Sequence, residues 1–179
     1  MTVRGFDAAV LQPFEEGFYK RFGFGTFIFR DEYRLSAERL KALVREYDTP
    51  VEPDPVLLAE MYSGFMSPYS GCSLRGAEYF RSFIEEFSMP GAVLNVTRNG
   101  CCAGYAENGV FFAHELFFSD GADPFSLLPS GFAEYSFPLP TGFPIPYDVY
   151  PERRGFSMIR TLKEGFDPFS PNNYGFDMY

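Results

Sequence analysis

Few side chains in this sequence could carry chemistry. There is one histidine, His114, followed directly by Glu115. Imidazole is the side chain whose ordinary pKa lies nearest neutrality, so His114 is a candidate proton carrier. A Ser-His-Asp arrangement would need it, but no G-x-S-x-G stretch accompanies it. Read as structure, it is a polar strand residue, and on a strand His114 and Glu115 point to opposite faces. Cys101 and Cys102 are adjacent, and the third cysteine is Cys72. A reactive thiolate needs a base or a helix N-terminus beside it, and the sequence places neither near the pair. One of the two must face the core, where cysteine acts as a small hydrophobe. Three cysteines and one histidine form no C-x2-C…C-x2-C pattern and no multi-histidine site, so no metal centre is expected. The carboxylates are dispersed, and Glu85-Glu86 reads as a solvated helix face. No G-x-G-x-x-G or P-loop occurs. Gly23-Phe24-Gly25 precedes a strand rather than joining strand to helix, so it is no phosphate cradle. No cofactor-binding residue is assigned.

Composition narrows the classes. The 179 residues carry 24 acidic against 15 basic side chains, a formal charge of −9, with 23 Phe, 12 Tyr and no Trp. That length suits one domain, or one plus pieces of neighbours, with a core that needs no disulfide staples. The acidic balance argues against a phosphate-backbone binder, which needs a Lys/Arg-rich face, so no nucleic-acid partner is expected. No run reaches 18 apolar residues, so no membrane helix is expected. The N-terminus lacks the apolar stretch of a signal peptide. An odd cysteine count fits a reduced, cytoplasmic setting.

The elements that must position these residues follow from local signals. A short helix starts near Pro13, which suits a first turn, and Gly23-Phe24-Gly25 ends it. Phe24 to Tyr33 alternates like a strand. Ser36 is the N-cap of a helix to about Tyr47. Asp54-Pro55, a cap followed by Pro at the first position, opens another, and a further helix spans about 73–87. Asn99-Gly100 and Asn108-Gly109 predict type I′ turns, and hence three antiparallel strands at about 92–98, 101–107 and 110–118. Phe132 to Phe137 and Phe156 to Leu162 read as strands. The proline-rich run from Pro138 to Pro151 reads as extended or loop.

One segment carries a resemblance. Leu11-Gln12-Pro13-Phe14 leads into Phe18-Tyr19-Lys20-Arg21-Phe22-Gly23-Phe24. The pattern FY-[KR]-[KR]-F-G-[FY] resembles the last stretch of GNAT-type N-acetyltransferases, closest to the Eis-like group of aminoglycoside and polyamine acetyltransferases. Met61-Tyr62, Gly71 and Leu74-Arg75 are similar to that family's stretch between its first and second domains. Gly104-Tyr105 and His114-Glu115-Leu116 look like its central GNAT-like domain. Phe156-Ser157-Met158-Ile159-Arg160 resembles the M-x-R stretch before its third, sterol-carrier-like domain.

The resemblance implies an α+β fold, with helices on a mainly antiparallel GNAT-like sheet and the meander near 92–118. It implies residues 1–34 as the remnant of a catalytic GNAT domain, 35–50 as a connecting helix and linker, 51–165 as a degenerate GNAT-like domain and 166–179 as an aromatic tail. It implies acetyl-CoA as co-substrate, a small cationic amine as acceptor, and Tyr19 as the acid that protonates the leaving thiolate. A tyrosine with an ordinary pKa near 10 can return that proton at hydrogen-bond distance. The structural alternative for Tyr19 is an aromatic packed in the core. The family's glycine-rich coenzyme A loop and its third domain have no counterpart in the sequence. Arg153-Arg154-Gly155 is only superficially like an R-x-x-G loop. The alternative function is a non-catalytic binding or assembly module that forms an oligomer or meets a partner chain through its aromatic tail.

Overall fold

The computed structural model describes residues 8–44, 46–69, 73–140, 143 and 149–162. Expectations that concern Gly71, Cys72 and the tail 166–179 lie outside the described residues. Seven strands form one sheet: β1 Ala8–Leu11, β2 Gly25–Ser36, β3 Ala92–Val96, β4 Gly100–Glu107, β5 Val110–Phe118, β6 Glu134–Pro140 and β7 Glu152–Thr161. Their order is β1-β7-β2-β6-β5-β4-β3. Helices α1 Glu16–Lys20, α2 Ala37–Leu43, α3 Pro55–Met66 and α4 Ala77–Phe87 pack on it. The fold is therefore α+β, as the sequence implied. Every pairing is antiparallel except β5 with β6, which run parallel from Val110↔Glu134 to Phe112↔Ser136. No described helix is long and apolar enough to cross a membrane.

Local chemistry sets several boundaries. Asp54 accepts the Val56 N–H at 2.8 Å with Pro55 in the first turn, which stops α3 from fraying at its start. Ser36 accepts the Arg39 N–H at 3.2 Å and turns β2 directly into α2. Asn108 and Gly109 have φ of 50° and 81°, the left-handed pair that a type I′ hairpin requires. The other Asn-Gly pair behaves differently. Neither Asn99 nor Gly100 has positive φ, and Gly100 is the first residue of β4. A Cβ on Gly100 would lie 2.7 Å from the Phe117 carbonyl oxygen and 2.8 Å from Phe118 Cβ. Glycine is needed there for close approach, not for a turn. The helix expected from 73 begins at Ala77.

The strand read near 24–33 is longer and lies inside the sheet. Gly25 pairs with Ile159 of β7, and Tyr33 pairs with Phe137 of β6. So β2 belongs to the same sheet as the meander.

The sheet has two covered faces. Val96, Cys101 and Phe117 share one face by register, and the Phe117 ring meets Tyr62 of α3 at 5.6 Å and Phe80 of α4 at 5.7 Å. Asn95, Cys102 and Leu116 share the other face. There Asn95 Nδ2 donates to the Leu127 carbonyl at 2.7 Å, which fixes the 3-10 helix Pro124–Leu127. Both cysteines are therefore fully buried, although alternation alone demanded only one.

Candidate functional site

The site starts with a glycine. β4 and β5 pair in register from Glu107↔Val110 to Gly104↔Ala113, and then Ala103 pairs with Glu115. His114 is the extra residue of a β-bulge. A Cβ on Gly104 would fall against the Phe112 carbonyl oxygen and 2.9 Å from Ala113 Cα, so the bulge closes only over glycine. A bulge re-aims a side chain and bends its strand. Here it keeps Tyr105, Phe112 and Glu115 on the helix-covered face, with His114 set between Phe112 and Glu115.

The second contributor is β6. Beyond Ser136 its pairing with β5 ends, and β2 remains as its partner. Pro138 and Pro140 follow at once. Proline lacks the N–H that an interior strand residue would donate to a neighbour, so it suits a strand that has lost one neighbour. The gap left beside β5 is a cleft of about 260 Å³. Its walls are His114 and Phe112 of β5, Tyr105 of β4, Ser136 of β6, and Arg30 and Glu32 of β2.

Polar contacts hold this wall. Ser136 Oγ donates to Glu32 Oε1 at 3.0 Å, and Arg154 Nε lies 3.3 Å from Glu32 Oε2. The Tyr105 hydroxyl donates to Glu86 Oε1 of α4 at 3.0 Å. Glu86 thus does more than face solvent. Burial, aided by this carboxylate, raises the Tyr105 pKa. Burial lowers the His114 pKa, and Arg30 and Arg75 add to the lowering while Glu86 opposes it. The ring is therefore a neutral proton acceptor near neutral pH.

The bulge overturns the opposite-face expectation for this pair: the His114 ring lies 6.1 Å from that of Phe87 on α4, and Glu115, on the same helix-covered side by register, is fully buried. Arg75 Nη1 meets Glu115 Oε1 at 2.9 Å, with both side chains out of solvent. The guanidinium lies 4.4 Å from the Tyr62 ring centroid and 4.9 Å from that of Tyr79. Two stretches singled out in the sequence, Leu74-Arg75 and His114-Glu115-Leu116, therefore meet in space.

The remaining candidates lie elsewhere. Burial pushes the Cys101 and Cys102 thiols well above their usual range, so they are structural rather than nucleophilic. Arg153-Arg154-Gly155 lies within β7 and forms no phosphate loop. Arg153 Nε pairs with Asp31 Oδ1 at 3.0 Å. Tyr19 sits on α1 among aromatic rings, 5.1 Å from Phe18, 5.4 Å from Phe14 and 6.2 Å from Phe24. It does not line the cleft. Arg30, Glu32 and Ser136 were not singled out in the sequence. The one signal toward them was the pair of prolines interrupting an apolar strand.

A second, wider cavity of about 900 Å³ lies at the end of α3 and β5, walled by Met61, Phe65, Phe118 and Phe143. Acyl-CoA, implied by the resemblance, needs donors for its diphosphate. The segment after β5 supplies a four-residue 3-10 helix whose Phe125 N–H is already taken by Asp123 Oδ1 at 3.0 Å. Among the described residues, the charged ones lining this cavity are Glu60 and Asp120, with no Lys or Arg. These residues do not fit a diphosphate. Among the described residues no cluster of three metal-ligating side chains occurs.

No protein-family model matches the sequence, and no curated protein matches it. Solved structures do share its fold. One is a GCN5-related N-acetyltransferase from Kribbella flavida, with TM-score 0.63 and 14% identity, covering 89% of this chain and 44% of that one. A second is a probable N-acyltransferase from Enterococcus faecalis V583, with TM-score 0.64 and 15% identity, covering 87% of this chain and 45% of that one. A third is Eis1 from Mycobacterium abscessus, with TM-score 0.54 and 17% identity, covering 88% and 48%. The fold is that of GNAT N-acetyltransferases. The chain spans less than half the length of these proteins.

Proposed function

We propose that this chain takes part in acetyl transfer from acetyl-CoA to a primary amine, in the manner of the Eis-like N-acetyltransferases that its sequence resembles. The observation that carries the reading is the polar cleft at the β5–β6 parting, with His114 on its wall. It lies in a sheet of GNAT topology, beside a face that α3 and α4 cover. The described residues offer an acceptor's side of such a reaction. Their misfit to a diphosphate means that no step with the donor is derived from them. The charge of −9 favours approach of a cationic acceptor. Two buried thiols suit a reducing, cytoplasmic setting. Tyr19 is assigned the acid's role on the resemblance alone, since it packs on α1 away from the cleft.

The test is thiol release from acetyl-CoA by the full chain with a diamine acceptor, for the unchanged protein and Tyr19→Phe. Loss of a positioned acid lowers turnover by about 10²–10⁴-fold. Equal rates would remove Tyr19 from the reaction. No binding of acetyl-CoA at millimolar concentration would remove the transfer activity from this chain.

A further inference from the structure

We propose that His114 accepts the proton of a small, slender primary amine that enters the cleft between β5 and β6. The inference deepens the acetyl-transfer reading by naming the acceptor's shape and its proton acceptor, and it rests on that reading for the amine. Three observations point there independently of the resemblance. His114 is the bulge residue, so its side chain is aimed by a backbone irregularity that Gly104 alone permits. The ring lines a cavity whose other walls include Arg30, Glu32, Ser136 and Tyr105 beside the apolar Phe112 and Pro138. The cavity, about 260 Å³, lies just below the usual span of small-molecule sites, roughly 300–1,000 Å³, so it suits a linear amine better than a bulky polycyclic one.

The charged groups facing the ring come from α4, β2 and the segment just before α4. Glu86 on α4 stands at the edge, held by Tyr105 of β4, and offers an ammonium its attraction. Arg30 and Glu32 approach from β2, and Glu32 is engaged on both oxygens by Ser136 and Arg154. Arg75 acts from just before α4. Beside the ring, the Arg30 cation disfavours an ammonium relative to its neutral amine. The amine is therefore drawn in as a cation and loses its proton at the wall. In that step one N–H bond of the ammonium breaks, its proton passes to an imidazole nitrogen, and the electron pair stays on the amine nitrogen. A neutral amine and an imidazolium result; because Arg30 and burial disfavour the imidazolium as well, the pair forms only transiently and is drawn forward as acylation consumes the neutral amine.

Having one histidine makes the test direct, because every imidazole signal of the full chain belongs to His114. In NMR titrations the free protein is expected to show its midpoint below 6.5, the ordinary value. At slightly alkaline pH, 1,4-diaminobutane should move the imidazole signals, while butanoate and tobramycin, a bulky aminoglycoside, should not. His114→Gln, checked for a preserved amide spectrum, should weaken diamine binding about tenfold. Signals unmoved by the diamine at millimolar concentration would overturn the proposal without any variant. So would equal movement by butanoate or by tobramycin. If acetyl transfer occurs and His114→Gln transfers at an unchanged rate across pH, this inference falls while the acetylation reading stands. If the diamine moves the signals but acetyl-CoA never binds, the transfer reading falls and His114 keeps its amine site.

Discussion

Under α3 and α4, β4 from Gly100 to Gly104 and β5 from Glu115 to Phe118 are buried on both faces, and Phe80, Phe111 and Phe117 have almost no contact with solvent. At the other edge, α1 and the strands around it leave Val10, Phe14 and Phe22 about half exposed or more. The two regions use the same residue type, phenylalanine, to different ends. In the first, rings interlock around a buried ion pair. In the second, Phe14, Phe18 and Phe22 contact one another along a helix of five residues that buries none of its side chains. Aromatic content alone does not say which side of a protein is the inside. What decides it is whether a second layer is present to receive the rings.

The sharpest way to break this contrast is at Glu115. Removing one partner of a fully desolvated pair strands the other charge, so Glu115→Ala should cost about 3–5 kcal/mol, read as a lowered urea midpoint. The paired replacement Arg75→Met with Glu115→Leu should restore most of that loss. If the single change costs under about 1 kcal/mol, which is the scale of exposed pairs, then this half of the molecule is wetter than its geometry implies.

Gly104→Ala should cost about 1–3 kcal/mol, the usual range for overpacking, since the added methyl meets backbone rather than a yielding side-chain tip. It should also shift the His114 resonances, because the bulge that aims the ring is strained with it. A stability loss with unmoved imidazole signals would separate the bulge from the site.

A smaller effect belongs to pH. Burial lowers the His114 pKa below 6.5, so the unfolded chain binds this proton more tightly than the folded one. The contribution to stability is complete above pH 6.5 and is lost as pH falls through the lowered folded value. His114→Gln should flatten that part of a pH–stability profile. An unchanged slope would mean that the ring is no more buried than in the unfolded chain.

Legibility in the sequence divides along the same line as the packing. Ser36, Asp54-Pro55 and Asn108-Gly109 announce their elements because a cap or a hairpin turn is decided within four residues. Asn99-Gly100 carries the same letters with another cause. Its glycine answers to Phe117 and Phe118 across the ladder, and nothing within four residues reveals that. The pairing of Gly25 with Ile159 spans most of the chain, so no window could show that β2 is interior. The cleft was hidden for a related reason. It depends on a glycine in one strand, a histidine in the next and two prolines in a third, and each reads locally as something ordinary. Tyr19 is the reverse case: its segment was conspicuous in sequence, yet the fold places it in an aromatic knot outside the cleft.

The last test addresses the exposed region itself. Phe14 is 76% and Phe22 is 48% exposed. Replacing both with serine removes little apolar area from a buried layer, so stability should change by no more than about 0.5 kcal/mol. Phe22 supports Arg21, whose guanidinium lies 5.0 Å from the ring centroid, but an exposed contact of that kind is worth only about 0.5–1 kcal/mol. A near-neutral outcome would make α1 a segment retained for what it presents. A loss above about 2 kcal/mol that grows with protein concentration would instead mean that these rings are covered in solution by a second copy, and the contrast between the two regions would then hold only for the isolated chain.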